Sequence, residues 1–157
     1  NDLVKAGKVL YLGGSSMFAW QFAELQMTAE RHGWAKFISM QNHYNLIYRE
    51  EEREMNPYCV QSGVGLTPWS PLARGILAGS YKGGLDGGTT KRSSGADMDR
   101  TLALYRGEND FKIAQRVIET AEKYGKAPAQ IALAPDDIDY LKELYRPLDN
   151  LLSLGMS

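Results

Sequence analysis

His43, Tyr44 and Asn45 follow directly on the apolar run "WAKFISMQ" and its Asn42. An imidazole titrates near neutral pH and a phenol can donate a proton, so His43 and Tyr44 could serve as acid or base at a strand end. Ordinary hydrogen bonding by a loop histidine is the simpler reading. A second concentration of chemistry lies in "TPWSPLARGILAG", residues 67–79, where Trp69, Ser70, Leu72 and Gly75 join prolines, an indole, a hydroxyl and glycine. The remaining polar groups read as structural. His32 precedes Gly33 at a helix end and suits the terminal carbonyls there. The glutamates of "REEERE" are too adjacent to converge on one metal and read as a solvated helix start. No metal site is expected. Arg74, Lys91 and Arg92 could meet a phosphate or carboxylate, although surface charge explains them as well. "LGGSS" and "GGLDGG" lack the G-x-G-x-x-G and Walker patterns. Cys59 is the only cysteine, so it reads as packing within a helix.

Positioning such groups requires a fold, and 157 residues suffice for one domain with a real core. Short apolar segments alternate with longer helical ones. Strands are expected at residues 8–14, 34–41 and 64–70. After the first, "SMFAWQFAELQMTAERHG" has Phe18, Phe22, Leu25 and Met27 near helical spacing, with Ser16 to cap it and Gly33 to end it. After the second, the glutamate cluster opens a helix through "EMNPYCVQSG" that Pro57 could bend. After the third, "NDFKIAQRVIETAEKYG" carries a stripe of Phe111, Ile113, Ala114, Val117, Ile118 and Ala121. Three strand-helix units in series predict an α/β fold with parallel strands. Residues 80–106, rich in glycine, serine and charge, read as a long mobile loop. "KAPAQIALA" starts a further helix and "PDDIDYLKELYRPLDN" another.

The segments "YLGGSSM", "SMQNHYNLIYREEEREMNPYC" and "PWSPLARGILAG", in this order and spacing, closely resemble the second half of aldo-keto reductases, especially the branch containing aryl-alcohol and norsolorinic-acid reductases. The resemblance runs from Ala6 to about Ala134 and returns at "DDIDYLKELYRP". It implies a partial (β/α)8 TIM barrel whose strands here are the fifth, sixth and seventh, and it implies NADP(H) as cofactor. Carried across, Ser15, Ser16 and Gln41 match positions that contact the nicotinamide carboxamide, with asparagine in many relatives where this chain has Ser16. Trp69 matches an aromatic stacked on the nicotinamide, and Ser70, Leu72 and Gly75 match the loop beside the pyrophosphate. Glycine there allows close backbone approach, main-chain N–H groups can receive phosphate oxygens, and a flat indole can cover a flat ring.

The family's catalytic aspartate, tyrosine, lysine and histidine lie upstream of the matching region, and none can be assigned here. The sequence also passes from "AQIALA" to "PDDIDYL" without the eighth-strand region and its basic adenosine-phosphate loop. A barrel of this class takes about 250 residues, so three strands do not close one. The expectation is a single truncated domain over residues 1–157, with open sheet edges and an apolar concave face covered by self-association, as a homodimer or higher oligomer. Three functions follow as expectations: NADP(H)-dependent carbonyl reduction with missing groups supplied by another chain; a repurposed, cofactor-free isomerase, cyclase or hydrolase of polyketide-like or aromatic substrates at His43 and Tyr44; or a non-catalytic interaction protein. A net charge of −1, from 18 basic and 19 acidic residues, points away from nucleic acid and membrane surfaces and toward a small molecule. The short apolar run near residue 10 is unlike a leader or span, so a cytoplasmic location is expected.

Overall fold

The computed structural model describes residues 1–81 and 97–133, which fall into two compact units. The first comprises Asn1–Tyr44 and Glu50–Trp69. It holds a short helix α1 (Asp2–Lys5), strand β1 (Leu12–Ser15), helix α2 (Ala19–Arg31), strand β2 (Phe37–Gln41), a 3₁₀ turn at Glu50–Glu52, helix α3 (Met55–Ser62) and strand β3 (Gly65–Leu66). The three strands form one parallel sheet in the order β1-β2-β3, as the alternation of apolar and helical segments predicts. The strands are shorter than expected. The first begins at Leu12 rather than residue 8, and Leu10 and Tyr11 before it are 79% and 71% exposed. The third is two residues long, although Thr67 N–H and Trp69 N–H continue its ladder to the carbonyls of Met40 and Asn42 at 2.9 and 2.8 Å.

One face of this sheet is packed by an apolar cluster of Phe22, Met40, Met55, Cys59 and Val64. Phe22 is its centre, fully buried and set against the rings of Phe37 at 5.6 Å and Tyr58 at 6.0 Å. Cys59 is buried there, as its apolar neighbours suggest. A Cβ on Gly14 would come within 2.8 Å of Met40 Cε and 2.9 Å of the Phe22 ring, so only glycine lets β1 and α2 approach this closely. On α2 the buried positions are Phe22, Gln26 and Ala29. Phe18, Leu25 and Met27 are 41%, 43% and 49% exposed, which corrects the expected stripe. Gln26 was hidden in the sequence by its polarity. Its side chain donates to Phe37 C=O and accepts from Phe37 N–H, both at 2.9 Å, standing in for a neighbouring strand.

Opposite the Phe22 cluster the sheet is not the apolar surface expected of a barrel interior. Gly13, Ser39 and Gly65 are paired across its three strands, and a Cβ on Gly13 would meet Ser39 Oγ at 2.7 Å. Ser15 pairs with Gln41 in the next row. Ile38 is the additional residue between the Leu12–Phe37 and Gly13–Ser39 pairs, a local bulge, and it is half exposed.

The second unit comprises Asn45–Arg49 and the chain from Ser70 onward. Its described elements are a 3₁₀ segment at Ala73–Ala78 and helices α4 (Asp97–Leu104), α5 (Glu108–Tyr124) and α6 (Pro128–Ala132). Its core gathers Ile47, Ala73, Ile76, Leu77, Tyr105, Ile113, Val117, Ala121 and Ile131 among others. The predicted α5 stripe is largely right, with Ile113, Ala114, Val117 and Ala121 buried, and Gly125 ends the helix at φ 61°. The expected loop at 80–106 needs correction at its far end, where "DMDRTLAL" is helical and Tyr105 is fully buried. Residues 82–96, with "GGLDGG", Lys91 and Arg92, lie outside the described residues, as does the helix expected in "PDDIDYLKELYRPLDN". Helices α2, α5 and α6 begin alike: Gln21, Asp110 and Gln130 reach back to the N–H groups of Phe18, Gly107 and Ala127 at 3.1, 2.9 and 3.0 Å. Ser16 therefore does not cap α2. Pro57 sits in the first turn of α3, where its missing N–H leaves no gap, and marks no break in the helix.

Candidate functional site

At the C-terminal ends of β1, β2 and β3 the first unit brings together Ser15, Ser16, Gln41, His43, Tyr44 and Trp69. The parallel ladder continues past β2 as a bridge between His43 and Trp69, which places the two rings side by side. They stack with centroids 4.0 Å apart and planes 10° from parallel. The indole Nε1–H donates to Ser16 Oγ at 3.0 Å. Ser16 reaches that position with φ 36°, a left-handed conformation that costs a serine more than a glycine or asparagine, and its N–H donates to Gln41 C=O at 3.2 Å. The same carbonyl accepts from Ser15 Oγ at 3.0 Å. Ser15 and Gln41 are exposed and Trp69 is partly exposed. Trp69 is held by ring and hydrogen-bond partners and is not a member of the Phe22 cluster.

His43 is only 6% exposed, and burial pulls its pKa down to about 4. It is therefore neutral at pH 7. The unfolded chain takes up this proton below about pH 6.5 and the folded one resists until about pH 4, so stability falls as pH drops through that window. The loss expected is on the order of 2–3 kcal/mol. Urea unfolding followed between pH 7 and 4 should show this slope, and His43→Phe should flatten it; equal slopes in both proteins would remove His43 as the source.

Tyr44 donates its hydroxyl to the Glu52 carboxylate. The glutamates are thus more than a solvated helix start. Glu50 is buried and paired with Arg53 Nε at 2.8 Å, and Glu51 accepts from Asn42 Nδ2 at 3.4 Å. Burial, with a smaller contribution from the Glu50 charge, raises the Glu51 pKa. Asn42, overlooked in the sequence, is fully buried and also donates to Asn56 Oδ1 at 2.7 Å. Among the described residues no three His, Cys, Asp or Glu side chains converge as metal ligands. His32, instead of serving the helix carbonyls alone, stacks on Trp34 at 4.6 Å.

Ser70, Leu72 and Gly75 belong to the second unit. Their loop is strained: Ser70, Ala73 and Arg74 have φ of 51°, 47° and 56°, and Gly75 has 103°. Such clusters occur where surrounding structure dictates the backbone. Asn45, another residue that sequence reasoning passed over, holds the start of this loop. Its amide donates to Ser70 C=O at 2.9 Å and Tyr105 Oη at 3.0 Å, while its carbonyl accepts from Ile47 and Tyr48 N–H, both at 2.9 Å. Burial drives the Tyr105 hydroxyl up to about 12, so it stays protonated. Arg74 donates from Nε to Thr101 Oγ1 at 3.0 Å. The Gly75 N–H is taken by Leu72 C=O and the Ala73 N–H by Ser70 C=O, each at 2.9 Å, so these two amides serve the loop itself before any phosphate.

With this geometry in place, the model of the aldo/keto reductase family matches residues 1–134. The chain belongs to the aldo/keto reductase family. Its three parallel strands and their helices are part of that family's (β/α)8 barrel. It is 54% identical over 134 residues to a Schizosaccharomyces pombe protein named as an aryl-alcohol dehydrogenase, covering 85% of this chain and 37% of that one. It is 50% identical over 134 residues to the versiconal hemiacetal acetate reductase of Aspergillus parasiticus, covering 85% and 38%. With a Saccharomyces cerevisiae protein also named as an aryl-alcohol dehydrogenase, identity is 37% over 182 aligned positions, covering 94% and 51%. The chain thus spans between about a third and a half of the length of these curated relatives. Within this aldo/keto reductase segment, Ser15, Ser16, Gln41 and Trp69 meet at one sheet end. No helix among the described residues is long and apolar enough to cross a membrane.

Proposed function

We propose that this chain forms the nicotinamide side of an NADP(H)-dependent oxidoreductase site acting on a carbonyl or alcohol attached to an aromatic or polyketide-like skeleton. The observation that carries the reading is the partly exposed indole of Trp69, backed by His43 and tethered to Ser16, at the same strand ends as Ser15 and Gln41. An indole face is suited to a flat ring, and neighbouring hydroxyl and amide groups are suited to its carboxamide. Ser15 Oγ donates its proton to Gln41 C=O, which leaves its lone pairs to accept from a carboxamide NH₂. The exposed Gln41 amide can both donate and accept. When bound, the cofactor supplies or accepts hydride. The substrate class follows the relatives, named as aryl-alcohol dehydrogenases and a hemiacetal acetate reductase.

The groups that complete the barrel come from further polypeptide, in a second copy of this chain or in one longer chain, and light scattering of the 157-residue protein distinguishes the two. Cofactor-free proton transfer at His43 and Tyr44 has less support, because His43 is buried under the indole and the Tyr44 proton is directed to Glu52.

Titrating NADPH into the protein while following energy transfer from tryptophan to the dihydronicotinamide tests the reading. Saturation in the micromolar range is expected, with the transfer reduced in Trp69→Ala. Absence of binding at millimolar NADPH would sink it.

A further inference from the structure

We infer that His43 is a positioning residue for Trp69: together with Ser16 it fixes the plane of the indole so that the face turned away from the imidazole is presented to a planar ring. The planar ring is the nicotinamide of the reading above, on which this inference rests, but the restraint on the indole is a property of the protein by itself. Three contacts define it. The Trp69 backbone N–H donates to Asn42 C=O at 2.8 Å, which fixes where the residue leaves the sheet. The bridge between His43 and Trp69 sets their side chains in register, and the rings lie 4.0 Å apart and 10° from parallel. Ser16 then accepts from the indole edge at 3.0 Å, which stops rotation within the plane.

A ring stacked on one side and hydrogen-bonded at its edge has little rotamer freedom left. The ordering entropy that a flexible indole would lose on binding a ligand is therefore already lost in the folded protein. The backbone of Ser16 supports the same conclusion. A serine held at φ 36° is strained, and what its position gains is the acceptor for Trp69. His43 is buried with its ring against the indole, so it acts on a ligand through Trp69 and not by contact.

The test uses the 157-residue chain with Trp20 and Trp34 replaced by phenylalanine, since these are 62% and 45% exposed and Trp69 then reports alone. Three variants follow: His43→Ala removes the ring, His43→Phe keeps a flat ring without nitrogen, and His43→Asn keeps hydrogen bonding without the ring. Time-resolved fluorescence anisotropy of Trp69 should show a fast local motion in the Ala and Asn variants and not in the Phe variant. NADPH affinity should fall about 2- to 12-fold in Ala and Asn, the range of an aromatic pair, and recover in Phe. Unchanged anisotropy in His43→Ala would overturn the inference, and so would recovery by Asn with failure of Phe, which would make the role a polar one. If the parent protein binds no NADPH, the cofactor reading fails, while the anisotropy series still decides whether His43 restrains Trp69.

Discussion

Asn45→Ala should unfold at far lower urea than the parent protein, with a loss of about 3–5 kcal/mol, a size that breaking a buried polar network can reach. Asn45 is 6% exposed and its side chain accepts from Ile47 and Tyr48 N–H and donates to Ser70 C=O and Tyr105 Oη. Alanine leaves the N–H groups of Ile47 and Tyr48, the Ser70 carbonyl and the Tyr105 hydroxyl each short of a partner. The Tyr105 hydroxyl is fully buried and stays protonated to about pH 12, so it cannot compensate by ionising. Asn45→Asp makes the decisive comparison. A carboxylate keeps both accepted bonds, loses both donated ones and brings a charge against the Ser70 carbonyl, so it should be about as damaging as alanine near neutral pH and less so when protonated. A loss under 1 kcal/mol for Asn45→Ala would show that water replaces the amide and that the Ser70 turn holds its shape by other means.

Phe22→Ala should cost about 3–5 kcal/mol, as expected for removing a ring from the centre of a core. The ring is fully buried and contacts Phe37, Tyr58 and the space that Gly14 leaves open. Gly14→Val attacks the same point from the opposite direction. It adds volume where a single Cβ already meets Met40 Cε at 2.8 Å, and about 1–3 kcal/mol of overpacking follows. The double variant is the informative one: if the valine methyls occupy part of the space left by the ring, its loss is smaller than the sum of the single losses. Chemical denaturation with a two-state fit supplies all three numbers. Strict additivity would mean that the two residues do not share one packing site.

What the sequence made legible follows from how local each signal is. The parallel strands and α5 were readable because short apolar segments alternating with longer helical ones, or a stripe from Ile113 to Ala121, declare themselves within a local stretch. His43 and Trp69 could be flagged as chemistry, yet their stacking could not, because it depends on a ladder joining residues 26 positions apart. Gln26 and Asn45 were invisible for a related reason. A polar residue at a buried position reads as surface until its partners are known, and those of Asn45 include Ser70 and Tyr105. Helix α4 was missed because "DMDRTLAL" is short and follows a glycine-rich stretch, so its packed side, with Met98, Thr101 and Leu104, appears only in the structure. The two-residue β3 would hardly count as a strand alone; its ladder with β2 makes it one.

The five residues Asn45–Arg49 belong to the second compact unit although the chain on both sides of them belongs to the first. The polypeptide therefore passes between units three times, at 44/45, 49/50 and 69/70. No single cut yields either unit as one continuous piece. For recombination or gene fusion the consequence is that residues 1–69 and 70–157 are not interchangeable parts. A fragment ending at Trp69 carries away Ile47 and Asn45, and leaves the second unit without a core side chain and without the amide that holds its strained turn.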